Sequence, residues 1–133
     1  MKKYALDANT ISYLLKDYPK VTAQMKQVSD SGNIITIPLV AYYEVKRGLL
    51  SVRAVNKMAH FERLCDVLGV DDLSFDVLDK ATYIYTDLRH KGRLVDDADI
   101  FIAAFCIVND CILVTSNVKH FNNIDGLSFV DWN

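Results

Sequence analysis

Apolar residues recur along this chain in two rhythms. Short runs at 3–6 (KYAL), Ile34–Ile37, Ile112–Thr115 and Phe129–Val130 are compact and often β-branched, and they read as buried strands. Between them the spacing is helical. The spacing predicts a helix through Leu15 capped by Asn9, and a second from Pro19 to Val28, with proline suited to its first turn. Ser31-Gly32-Asn33 is a turn. A third helix carries Val40, Tyr43 and Glu44 to Leu50, and a fourth runs over Val52–Leu64. A short strand is expected near Val70–Leu73. Val77, Leu78, Ala81, Ile84, Tyr85 and Leu88 share one face of a helix over 75–91 that Gly92 ends. The helix over Asp97–Val108 is apolar nearly all round after its first turn, so it is predicted to be buried.

Strands that alternate with helices imply a three-layer α/β/α sandwich with a mainly parallel central sheet. A length of 133 residues suits a single domain over 1–133, and neither a linker nor a repeat divides it. The longest wholly apolar run, Ile100 to Val108, is too short to span a membrane. At the N-terminus, Asp7 arrives before a signal-peptide apolar region can form. The cysteines are three, Cys65, Cys106 and Cys111, in apolar stretches without CxxC spacing. They fit buried free thiols and a cytoplasmic location. The histidines His60, His90 and His120 stand isolated and lack zinc-ligand spacing.

A net charge of -2 argues against a generally basic nucleic-acid binder, but the charges are unevenly spread. Residues 46–63 hold Lys46, Arg47, Arg53, Lys57 and Arg63 against one acid, Glu62, whereas 66–79 hold five aspartates and no base. A basic face beside an acidic centre suits a phosphate backbone; scattered solvated charge is the plainer alternative.

Parallel sheets place their sites at the carboxyl ends of the strands. Four polar positions fall there or at adjacent helix starts: Asp7, Glu44, Asp99 and Asn117. Each has a structural alternative. Asp7 can cap a helix, Asn117 can serve a turn, and Asp96, Asp97 and Asp99 can all complement a helix dipole. Asp99 resists that explanation most, because IFIAAFCIV follows at once and a carboxylate there needs a partner or a cation. Glu44 is one of two glutamates among 17 acids and is flanked by apolar residues in VAYYEV. Converging carboxylates require a compensating cation, and hard oxygen ligands select Mg²⁺ or Mn²⁺. Such a cation beside basic residues suits phosphodiester hydrolysis. Asparagine at position 99 is expected to stabilise the cation-free protein by removing one of the repelling charges.

The ordered segments LDANTISYLLK, YYEVKRG, DADIFIAAFCIV and LVTSNVKHFNNIDGL resemble the motifs of PIN-domain proteins, and most nearly the VapC-type toxins of toxin–antitoxin pairs. The likeness runs from Tyr4 to Trp132. It implies a Mg²⁺-dependent endoribonuclease acting on RNA, tRNA and ribosomal RNA both being open, with Mn²⁺ as a substitute. Asp7, Glu44 and Asp99 match the family acids and would hold the metal. Asn117 stands where many members have a fourth Asp and would position a metal-bound water; its lack of charge leaves a second metal open. Thr10 and Thr115 match polar positions that line the site, and Asp97 is a possible outer helper. Lys46, Arg47 and Arg93 are candidates for RNA phosphate contacts. The family also implies a homodimer and a cognate antitoxin that inserts a segment near the site. A structure-specific DNA nuclease of the same fold and a non-catalytic binding domain are the alternatives.

Overall fold

The computed structural model describes residues 1–133 throughout. Five strands, β1 (Lys3–Leu6), β2 (Ile34–Pro38), β3 (Val70–Asp71), β4 (Ile112–Val114) and β5 (Phe129–Val130), form one sheet in the order β3-β2-β1-β4-β5. Every neighbouring pair is parallel. Tyr4 lies opposite Ile35 on one side and Ile112 on the other, and Leu6 opposite Val114.

Seven helices link the strands: α1 (Ala8–Leu15), α2 (Pro19–Asp30), α3 (Leu39–Ser51), α4 (Val55–Leu68), α5 (Phe75–Lys91), α6 (Asp97–Val108) and α7 (Val118–Phe121). The chain steps from β1 to β2 to β3 in one direction, then returns across β1 to β4 and β5. Parallel crossovers are right-handed, so this reversal puts α1–α4 on one face and α5–α7 on the other. The reversal lies between β1 and β4, where loops diverge at the strand ends and a crevice opens.

The core behaves as the hydrophobic pattern demands. Leu6, Ile37, Leu113 and Val114 from the sheet are wholly buried, as are Phe61 of α4, Leu88 of α5, Ile100 and Ile102 of α6 and Phe121 of α7. Each such side chain contributes about 1.5–3 kcal/mol by leaving water. Helix α5 carries its own start and stop signals. Ser74 accepts a hydrogen bond from the Val77 N–H at 3.2 Å, and Gly92 at φ 68° closes the helix in the left-handed region that glycine enters without strain.

The structure departs from the sequence reading in four places. The cap of α1 is Asp7, whose carboxylate accepts from the Thr10 N–H; Asn9 lies inside the helix. Helix α4 begins at Val55 because the chain turns at 52–54, with Arg53 at φ 53°. Strand β3 is confined to two residues. Helix α7 has one turn, too short to leave a periodic signal. The cysteines are free, with Cys106 and Cys111 buried as expected and Cys65 only partly so. No helix is long and apolar enough to cross a membrane.

Candidate active site

The crevice at the topological reversal is built first by Asp7. It follows β1 directly, and its own N–H bonds the Val114 carbonyl at 3.1 Å, which ties the start of α1 to β4. Its carboxylate is buried and accepts from the Thr10 N–H at 2.8 Å. The Thr10 hydroxyl in turn donates to the Val114 carbonyl at 3.0 Å. Burial pushes the Asp7 carboxyl above its usual value; hydrogen bonds from Thr115 and Thr10 oppose this, and the nearby Asp99 charge adds to it.

Glu44 is half-buried on the second turn of α3. Its carboxyl is also raised, by burial first and then by the Asp99 charge, with Asp7 and Asp96 adding and Arg47 opposing. Asp99 sits in the first turn of α6 with its side chain 18% exposed. Its Oδ2 lies 2.8 Å from Nδ1 of His120, on α7. An ionised carboxylate is acceptor-only, so Nδ1 carries the proton and donates. The partner that the buried setting of Asp99 requires is therefore a histidine 21 residues downstream.

Asp7 and Glu44 both feel the charge of Asp99, and Thr10 and Thr115 act on Asp7, so these five share one locality. Other sequence candidates lie outside it. Asn117 precedes α7 and its N–H donates to the Thr115 hydroxyl at 3.0 Å, but its side chain bonds none of the three acids. Asp97 faces a groove with Leu78, Tyr85 and Thr86, between α5 and α6, whereas Asp96 is the neighbour that adds to the field on Glu44. Lys46 donates to the Tyr42 hydroxyl at 2.9 Å, and Arg47 lies over the Tyr43 ring at 5.1 Å. Arg93 instead lines an open cleft with His120. His120 is what the sequence reading missed. Its place three residues after Asn117, behind the strand end of β4, was the available signal.

The donor set is three carboxylates with no lysine among them, oxygen chemistry suited to a hard divalent cation. The acids are close enough to repel, yet no three of them are drawn together at ligand distance, and Asp99 is turned toward His120.

A sequence profile of the PIN domain matches residues 4–127. The chain belongs to the PIN domain family. This PIN domain is 27% identical to Ribonuclease VapC1 of Haemophilus influenzae (strain R2866), with 97% of each chain covered. It is 26% identical to the tRNA(fMet)-specific endonuclease VapC of Salmonella typhimurium (strain LT2), with 99% of each covered. Among solved structures, it superposes on VapBC-1 from nontypeable Haemophilus influenzae with TM-score 0.84 and 26% identity over 98% of both chains. It matches the fold of VapBC2 from Rickettsia felis, bound to a DNA fragment from its promoter, with TM-score 0.91 and 22% identity over 98% of this chain and 99% of that one.

Proposed function

We propose that the protein is a divalent-cation-dependent endoribonuclease that acts as the toxin of a toxin–antitoxin pair. The observation that carries this reading is the convergence of Asp7, Glu44 and Asp99 at the reversal of the sheet, where burial and mutual repulsion raise the carboxyls of Asp7 and Glu44. A cluster that repels itself costs stability and suits a cation. The names of the relatives, a ribonuclease and a tRNA endonuclease, agree with it.

Asp7, Glu44 and Asp99 would hold the cation, Mg²⁺ or Mn²⁺. When bound, it polarises the phosphate and makes water a better nucleophile. The chain's residues do the rest. The Thr10 N–H fixes the Asp7 carboxylate, so its free lone pairs keep one direction. His120 fixes that of Asp99. Glu44 orients the attacking water. Asn117, behind β4, adds a polar group without another charge.

An antitoxin and a second copy of the chain are the protein partners this reading implies. Two apolar grooves support them. One, between α3 and α6, is lined by Leu39, Val40, Tyr43 and Phe101 and borders Glu44. The other, between the end of α3 and α4, is lined by Leu49, Leu50, Val55 and Met58.

Incubation with total RNA tests the activity. Cleavage should stop in excess EDTA and return with Mg²⁺ or Mn²⁺, leaving 5′-phosphate and 3′-hydroxyl ends. Undiminished cleavage in EDTA, or 2′,3′-cyclic phosphate ends, would sink the metal-activated-water mechanism.

A further inference from the structure

A cleft of about 710 Å³ opens between the segment 92–96 and α7. That lies within the ~300–1,000 Å³ of ligand sites, but its chemistry is not that of an apolar pocket. Arg93, Lys119, His120, Asn122 and Asn123 face it, opposed by one acid, Asp96; Leu94 and Val95 are its apolar lining. Arg93 and Lys119 are both exposed, and neither is in an ion pair. Two unpaired cations and two amides around an open channel match a polyanion with hydrogen-bonding edges. They give an incoming protein segment few apolar anchors, unlike the two grooves along α3.

His120 joins this cleft to the acids. It lines the cleft and bonds Asp99 through Nδ1. A strand lying in the cleft reaches His120, one hydrogen bond from Asp99. We propose that this cleft binds the RNA backbone on one side of the scissile phosphate, with Arg93 and Lys119 contacting phosphates and His120 marking its inner end. The proposal rests on the ribonuclease reading and adds to it the track of the substrate. It competes with a different track, the basic stretch of α4 and its approach, where Arg53 and Arg63 are exposed.

The test separates the two tracks. In an Asp7→Asn background, fluorescence anisotropy with a labelled single-stranded RNA 12-mer compares Arg93→Ala/Lys119→Ala with Arg53→Ala/Arg63→Ala. Loss of two phosphate contacts on a single strand should weaken binding about tenfold near 0.15 M salt and lower the log–log salt slope by about 1.4. The α4 pair should stay near the parent. Arg93→Lys/Lys119→Arg should restore binding, which a folding defect would not allow. With Asp7 intact and Mg²⁺ present, the cleft pair should raise KM and leave kcat near wild type. Binding by the cleft pair equal to the parent's, while the wild type cleaves RNA, overturns the cleft alone. A wild type that cleaves nothing, beside cleft-dependent binding, removes the nuclease reading and keeps the RNA subsite. A parent that does not bind RNA also overturns the cleft, and wild-type cleavage then decides the nuclease reading by itself.

Discussion

Asp7 accepts a hydrogen bond from the Thr10 N–H, and Asp99 accepts one from His120. Glu44 has the charge of Arg47 to set against Asp99, Asp7 and Asp96. The sequence alone suggested that asparagine at position 99 would relieve the cluster; the His120 bond offsets that gain, so the relief belongs to position 44. Glu44→Gln should abolish cleavage and raise the melting temperature in EDTA by roughly 1–3 °C, the modest size reflecting solvent screening at a half-exposed group. Asp99→Asn should not match that increase. The sign with pH follows from the raised carboxyls. Asp7 and Glu44 hold protons more tightly folded than unfolded, so their penalty is full above the raised values and disappears as pH falls toward the ordinary 3.8 and 4.5. Melting of the wild type in EDTA should therefore rise on mild acidification, and Glu44→Gln should flatten the rise. A wild-type melting temperature that only falls from pH 7 downward would refute the uncompensated cluster.

At the scale of elements, one residue ends β1, caps α1 and supplies a carboxylate to the crevice. The cap geometry and the chemistry are thus the same bond seen from two sides: the Thr10 N–H at 2.8 Å both starts the helix and aims Asp7. Substitution separates them. Asparagine keeps an accepting oxygen at the cap, whereas alanine removes it at about 1 kcal/mol. Asp7→Asn and Asp7→Ala should both lose cleavage, with the alanine variant melting about 3–6 °C below the asparagine variant. Equal melting would mean that the cap contributes nothing to α1. Helix α7 shows the reverse economy of sequence. Its single turn buries Phe121 and presents His120 and Lys119.

Across the molecule, apolar side chains remain on α3 and α5. Tyr43 and Leu50 are each 60% exposed, and Phe75 is 83% exposed. Phe61 of α4, by contrast, is buried and packs on Tyr42 with ring centroids 5.6 Å apart. Exposed apolar side chains of this size are the kind that association covers. Light scattering at tens of micromolar should give at least a dimer mass, and Tyr43→Glu should lower it. A monomer mass for the wild type would refute this.

The strands, the long helices and their alternation were legible in the sequence because burial writes a period of two or 3.6 into the apolar residues. The parallel α/β/α class followed. The candidate acids were legible too, Asp7 because it directly follows the first strand, Glu44 and Asp99 because a carboxylate inside VAYYEV or next to IFIAAFCIV contradicts its local pattern. The strand order, with its reversal between β1 and β4, is a matter of which strands pair across 100 residues, and no local period records it. That reversal is what gathers acids from β1, α3 and α6 at one edge. The bond from Asp99 to His120 and the cleft that Arg93 and Lys119 share also depend on it, because each joins side chains from separate segments that meet only once the sheet has formed.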